Sequence, residues 1–440
     1  MNRISKNTAI TFLSQILSLG LGIILLIILA RVLGPEGKGI YTLIILIPTL
    51  AIKLAGLGIE EANVYFTGSK KIPIKNIISN SFILAFSIGL ILILLFLGFS
   101  NFNFFQNFLN SNKINTSYLW LAVLTIPFTF LFVWLNNIFL GREEIIKFNA
   151  LNIFFVFFQL IAAIFFLIIM KQGVWGAIFS YVLATIVTAL IIIFLIKKII
   201  PTQLSFNKES LKNGLNYGIK AYLGIIAQFL NYRLSILLIA IFLTPVSVGL
   251  YSIAVEIVEK LWLIPMAVAT VLFPRVSSVQ ASQANILTPK VCRHTLFIMP
   301  IISFCLAILT YPLVKIFFGS AFLPAVIPLL VLLPGIIAFS GVRILLADLF
   351  GRGKPEIGMW AGFTSLAVNI LLNIFLIPKW GIVGAAFAST IAYILTILIV
   401  INAFTKISKN SWLEVLLIKK QDFQDYKRIF VKIREKFDKL

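Results

Sequence analysis

Five cations interrupt long apolar stretches of this sequence: Lys53, Lys220, Arg233, Lys260 and Arg343. A charge inside a bilayer-spanning helix costs roughly 2.5–3.5 kcal/mol even on lenient insertion scales, so each marks a functional position by default. The chemistry such groups suit is the holding of a phosphate: lysine as a compact point charge, arginine through a bidentate fork. Lys220 lies in the stretch 213–251, where Tyr217, Lys220, Gly224, Gln228, Asn231 and Ser235 recur three or four residues apart and share one helical face. Arg233 points nearly opposite, so either it is buried against a neighbour or the helix bends. The acids are fewer. Glu60 and Glu61 follow a Gly56-Leu57-Gly58 break, Glu256 and Glu259 stand near Lys260, and Asp348 lies further on. Glu256 and Lys260 are i,i+4, so the plainer reading is mutual neutralisation. Asn369 and Asn373 are also i,i+4, beneath Ser365; amides so placed bridge helices or ligate a cation.

The elements that carry these residues are membrane helices. Of 440 residues, 60% are hydrophobic, and the mean hydropathy is +1.05. Runs of about 20 apolar residues recur, the length that crosses a bilayer. Lipid offers backbone groups no hydrogen-bond partner, so the spans must be helical, and nothing alternates like a barrel strand. The reading is an all-α polytopic membrane protein with twelve spans, near 8–30, 40–62, 77–99, 118–140, 151–170, 174–196, 218–243, 248–273, 295–317, 325–346, 358–377 and 382–404. The first apolar run is too long for a signal peptide and reads as a retained helix. With the N-terminus inside, inner segments hold 26 Lys and Arg and outer segments 6. This bias puts both termini in the cytoplasm of a cell (inner or plasma) membrane. The net charge of +22 sits in short loops and the tail and does not point to nucleic acid. Cys292, Cys305 and the lone His294 fit neither a disulfide framework nor a metal site. No catalytic group and no cofactor is expected.

The chain repeats itself. Leu33, Pro35, Gly39 and Tyr41 match Leu243, Pro245, Gly249 and Tyr251 at an offset of 210 residues, as Gly141-Arg142 matches Gly351-Arg352. The stretch from Lys171 matches that from Lys379 at 208. Six helices per copy make a parallel repeat, as in several transporter classes. The expected domains are a six-helix lobe at 1–205, a second at 206–404, and a basic cytoplasmic tail at 405–440. In the first helix Asn7, Thr11, Ser14, Ser18 and Gly22 form a small, polar stripe equivalent to that of the seventh. Close packing explains such stripes; a shared central cavity between helices 1 and 7 explains Lys220 as well. The outer loop 101–117 reads as an interfacial flap. Phe423, Tyr426, Phe430, Ile433 and Phe437 form one face of an amphipathic tail helix that suits anionic membrane lipid.

Ala30-Arg31-Val32-Leu33-Gly34-Pro35-Glu36-Gly37 with Tyr41, and Phe273-Pro274-Arg275 in the second half, resemble polysaccharide biosynthesis flippases of the O-antigen type. That family falls within the multidrug/oligosaccharidyl-lipid/polysaccharide exporters. The resemblance implies two six-helix lobes, alternating access, and an undecaprenyl-pyrophosphate-linked oligosaccharide as substrate, with H+ or Na+ as a coupling ion. Glu60 resembles the acid at a Gly-rich break in the lipid II flippase branch. Ser235 stands where many relatives carry an acid. Asn369, Asn373 and Ser389 could supply oxygens to a cation as some of that branch do, but no carboxylate stands among them.

The reading is therefore a lipid-linked oligosaccharide flippase, not an enzyme. Its substrate-binding candidates are Lys220, Lys53, Arg233, Lys260, Gln228, Ser18 and Glu60; its ion-coupling candidates are Glu256, Asn369, Asn373 and Ser389. A drug or cation antiporter of the same fold needs acids in the cavity, which a cationic seventh helix disfavours. A membrane-embedded glycan polymerase or ligase needs a large outer loop with catalytic groups, and the loop 101–117 has neither His nor acid.

Overall fold

The computed structural model describes residues 3–199 and 206–422, and their side chains other than those of residues 3–9, 220 and 221. The described chain is helical. Its α-helices are α1 (Arg3–Ala55), α2 (Ile59–Ser69), α3 (Ile74–Ser100), α4 (Asn103–Ser111), α5 (Thr116–Val123), α6 (Ile126–Gly141), α7 (Ile145–Ala163), α8 (Gly173–Lys197), α9 (Lys208–Phe242), α10 (Pro245–Glu259), α11 (Leu263–Ser278), α12 (Ala281–Leu313), α13 (Val326–Gly351), α14 (Pro355–Ser408) and α15 (Trp412–Leu416). Among the described residues ten helical stretches are long and apolar enough to cross a membrane.

Two of the ten carry an internal break. Helices α1 and α14 have 53 and 54 residues, about 80 Å if straight, against roughly 30 Å of hydrocarbon. Each is interrupted by a glycine, Gly34 (φ 65, ψ −179) and Gly381 (φ 59, ψ −138). Side chains beyond glycine hardly enter that region.

The chain divides into two compact units, one of residues 1–252 with 314–323, the other of 253–313 with 324–440. In the first, α6 is the central element. It buries Ile126, Phe130, Leu131, Trp134, Leu135, Ile138 and Phe139 against α2, α3, α7 and α8. In the second, α13 has that role, buried on most of its length and packed on α11, α12 and α14. The two central helices end alike. A Cβ on Gly141 would stand 2.8 Å from Thr67 Cβ, and one on Gly351 3.2 Å from Ser277 Oγ; Thr67 and Ser277 are themselves 210 apart. Lipid-facing surfaces explain the exposed apolar side chains, such as Leu90, Ile91, Leu94 and Leu95 on α3.

The first unit also holds a contact between the two repeats. A Cβ on Gly39 would overlap the Pro245 carbonyl oxygen, and one on Gly249 the Pro35 carbonyl oxygen. The relation is reciprocal, with each glycine admitting the backbone of the other copy. One turn on, Thr42 Oγ1 meets Ser252 Oγ at 3.5 Å.

The segment 101–117, expected as a flap, is largely ordered secondary structure. Helix α4 is seated by Leu109 and by Asn112, which is fully buried and donates through Nδ2 to the Ala240 carbonyl at 2.9 Å. Phe102 and Phe104 still stand exposed, while Phe105 meets Phe96 edge-on at 5.5 Å. The sequence alone hides this because one buried amide, not a periodic face, anchors the segment.

In the second unit the chain after α14 is tied down. Arg293 on α12 donates to Asp422 from Nε at 2.8 Å and Nη2 at 3.0 Å, and from Nη1 to the Glu414 carbonyl at 2.5 Å. Both side chains are buried, 8% and 4% exposed. Removing one partner of a buried pair strands the other charge, so Arg293→Ala is expected to lower stability by about 3–5 kcal/mol. Arg293→Met with Asp422→Leu is expected to cost much less, because neither charge is left alone. Thermal unfolding in detergent checks both. The Arg293 hydrogen bonds hold the Asp422 carboxyl down at about 2. A depressed carboxylate stabilises fully above its ordinary value and loses that contribution as pH falls towards 2, so the tie is indifferent to pH across the neutral range. The tail helix expected around Phe423 to Phe437 lies outside the described residues.

Candidate functional site

The densest grouping of intramembrane charge in the first unit forms where α1 ends and α2 begins. The chain breaks at Gly56-Leu57-Gly58, leaving a helix C-terminus and a new N-terminus side by side. Lys53 occupies the last turn of α1, and Glu60 and Glu61 the first turn of α2. Each sign complements the helix dipole it faces. The turn brings Lys53 Nζ to Glu60 Oε1 at 2.9 Å, with the side chains 31% and 19% exposed. Lys53 is thus an ion-paired lysine that can still be reached. Glu61 Oε2 is buried and accepts no hydrogen bond from the described residues.

Helix α9 crosses this break at backbone distance. A Cβ on Gly218 would lie 2.5 Å from the Gly58 carbonyl oxygen, and one on Gly56 2.5 Å from Tyr222 Oη. Tyr222 Oη donates to the Lys53 carbonyl at 2.7 Å. So α9 reads the broken end of α1 through a hydroxyl. Towards the start of α9, Tyr217 stacks on Tyr65 at 4.3 Å, and Lys71 Nζ donates to Tyr65 Oη at 3.0 Å.

The other expected positions are distributed as follows. Lys220 lies in α9, between Gly218 and Tyr222, and its side chain is outside the described residues. Gln228 on α9 and Ser18 on α1 are half-buried. Arg233 is half-buried too, on a helix of 35 residues without a non-helical interruption. Lys260 is exposed at the first residue of a short 3-10 turn, and Glu256 is half-buried. In the second unit Asn369, Asn373 and Ser389 are buried. Asn373 Nδ2 donates to Asn369 Oδ1 at 2.7 Å and to the Asn369 carbonyl at 2.8 Å, so the amides serve each other along one helix. Asp348 is fully buried. It accepts from Thr288 at 2.5 Å and from Arg352 Nη2 at 3.2 Å, which makes it a structural acid. Arg343 lies over Phe339 at 5.4 Å and Trp262 at 5.9 Å. Among the described residues no group of three His, Cys, Asp or Glu could hold a metal.

Reading the sequence missed Tyr222 and the Gly218–Gly58 crossing. The signal was present: Gly218 and Tyr222 are i,i+4 on α9, opposite a Gly-x-Gly break, the small-residue pattern of close helix approach.

The fold defines a class, a multi-pass helical membrane protein. The backbone superposes on an inward-closed lipid II flippase MurJ with a TM-score of 0.73 at 19% identity, covering 92% of this chain and 90% of that one. It superposes equally, at 0.73 and 14% identity, on an inward-facing multidrug resistance MATE family transporter of the MOP superfamily, over 89% and 95%. At such identities the likeness is one of fold. The family model described as "Polysaccharide biosynthesis protein" matches residues 28–327, and the chain belongs to that family. In Haloferax volcanii the "Probable low-salt glycan biosynthesis flippase Agl15" is 28% identical over 198 residues, 43% of this chain and 42% of the relative. An uncharacterized membrane protein of Methanocaldococcus jannaschii, MJ1375, is 25% identical over 56% of this chain and 61% of its own. The chain spans about half the length of the curated relatives it matches.

Proposed function

We propose that this protein flips an undecaprenyl-pyrophosphate-linked oligosaccharide from the inner to the outer leaflet of the cell membrane by alternating access, without enzymatic chemistry. The observation that carries the reading is family membership across 28–327 joined to the broken, cation-bearing end of α1 under α9. Twelve spans follow once α1 and α14 each count as two, and both termini are cytoplasmic. The two repeats, 1–205 and 206–404, form the lobes, with a tail at 405–440.

In this reading Lys220 meets the pyrophosphate about three turns in from the start of α9. Lys53 is the second cation, and Glu60 guards it: a phosphate oxygen must displace the carboxylate to gain the ammonium. An ammonium at 4 Å gains roughly 1 kcal/mol in water and about 4 at an effective dielectric of 20, so desolvation there decides the strength. Arg233, Gln228 and Ser18 line the remaining path in the first unit, and Lys260 is a further candidate in the second. Coupling to H+ or Na+ would use Glu256, or the oxygens of Asn369, Asn373 and Ser389. The competing reading is a drug or cation antiporter, favoured by the fold shared with multidrug transporters.

Lys220→Ala is expected to abolish surface glycan export at unchanged membrane level of the protein, and Lys220→Arg to keep part of it, since charge persists while geometry changes. Export at the wild-type rate by both Lys220→Ala and Lys220→Glu would end the pyrophosphate role. Proton-driven efflux of an organic cation from vesicles holding the purified protein, with no glycolipid flipping, would establish the antiporter instead.

A further inference from the structure

A crevice in the first unit, apart from the α1–α2 break, has the make-up of a lipid site. It opens between α2, α3 and the start of α9, with ≈ 360 Å³ of space including its mouth. Its walls are apolar, among them Ile59, Phe66, Ile77, Leu84, Leu211 and Leu215. Gly214 faces into it, and a Cβ there would meet nothing within 4 Å. A glycine inside a helix costs about 1 kcal/mol against alanine. Neither positive φ nor a neighbouring backbone demands this one. The sequence therefore keeps the crevice open at a cost in stability.

The rim is basic. Two segments border the mouth, 70–77 and 206–215, and together carry Lys70, Lys71, Lys75, Lys208 and Lys212 against the single acid Glu209. Four of the five lysines are exposed and Lys75 is half-buried. The segments are clamped to each other. Asn80 donates to the Asn207 carbonyl at 2.9 Å and accepts from the Asn207 amide at 3.1 Å; Asn76 donates to Ser210 Oγ at 3.3 Å. Lys71 is further placed by its bond to Tyr65, whose ring meets Phe66 of the crevice wall edge-on at 5.0 Å. An apolar slot between two segments rich in exposed lysine complements one molecule, an amphiphile with an anionic head.

We propose that this crevice holds a resident anionic phospholipid of the membrane, its chain along Phe66 and Leu215 and its phosphate among Lys71, Lys208 and Lys212. The lipid is a structural partner, not cargo, and the inference does not depend on what the protein transports. It would add to the contacts that brace the start of α9 against α2 and α3.

Native mass spectrometry of the full chain, offered dioleoyl phosphatidylglycerol and dioleoyl phosphatidylcholine together, tests it. The protein is expected to retain one phosphatidylglycerol in preference to phosphatidylcholine. Lys71→Gln, Lys208→Gln and Lys212→Gln combined should weaken that preference by roughly a hundredfold, at about a factor of five per lysine. Gly214→Phe should fill the slot and lose retention of both lipids, while Gly214→Ala, which leaves most of the slot open, should bind as wild type. An unaltered preference in the triple lysine variant overturns the proposal, and so does full retention by Gly214→Phe. Glycerol phosphate competing as well as the lipid would reduce the site to a headgroup site. Displacement of phosphatidylglycerol by equimolar polyprenyl phosphate would move it to the transport path. Either outcome refutes a resident phospholipid. The lysine variant alone decides the matter where Gly214→Phe fails to fold.

Discussion

A Thr42→Cys, Ser252→Cys double variant, with Cys305 replaced by serine, is expected to cross-link under mild oxidation and to stop glycan export until it is reduced. The two hydroxyl oxygens lie 3.5 Å apart, so sulfurs at those positions need close only by about 1.5 Å to reach bonding distance. Beside them the Gly39 and Gly249 backbones meet with no side chain between. Two helices in such contact can part as rigid bodies, which is what rocking of one repeat against the other requires. A covalent staple forbids it. Cys305 is exposed and would compete, whereas Cys292 is buried. The readout is export before oxidation, after it, and after dithiothreitol, with the cross-linked fraction read from a gel of protein cut in the 199–206 region. Wild-type export by fully cross-linked protein would exclude parting at this crossing from the transport cycle.

The second large effect concerns the same crossing. Gly39→Ala and Gly249→Ala are each expected to destabilise the protein by about 3 kcal/mol or more, the upper end for overpacking, because the obstacle is a backbone carbonyl that cannot rotate away. The two should not add. Once either methyl has forced the helices apart, the other finds room, so the double variant falls well short of the sum. Gly20→Ala and Gly22→Ala are the controls. Nothing lies within 4 Å of a Cβ at either, and a helical Gly→Ala exchange there gains up to about 1 kcal/mol. Thermal unfolding monitored by size-exclusion of the detergent-solubilised protein separates these outcomes. Full additivity would mean that the two glycines do not share one interface.

The sequence by itself determined the helical membrane class, because backbone groups in lipid have no alternative partner and runs of about 20 apolar residues are unmistakable. It also carries the matches at an offset of 210, and Gly39 and Gly249 among them stand where a Cβ would collide with the Pro245 and Pro35 carbonyls. It named Lys53 and Glu60, because charges in apolar surroundings stand out singly. It could not pair them. Seven residues apart, they would stand two turns, about 10 Å, from each other along one face of a continuous helix, and they meet only because the helix is interrupted at Gly56–Gly58. The sequence placed Asp348 in an apolar stretch without its partners Thr288 and Arg352, which packing supplies, and Asn112 in a flap without the Ala240 carbonyl. The i,i+4 spacing of Gly218 and Tyr222 marks a close helix approach, but not its partner, which is the Lys53 carbonyl 169 positions away. Periodicity reports which face of a helix is apolar. Which side chain closes a buried hydrogen bond depends on how two helices cross, and that geometry is fixed by contacts between residues far apart in the chain.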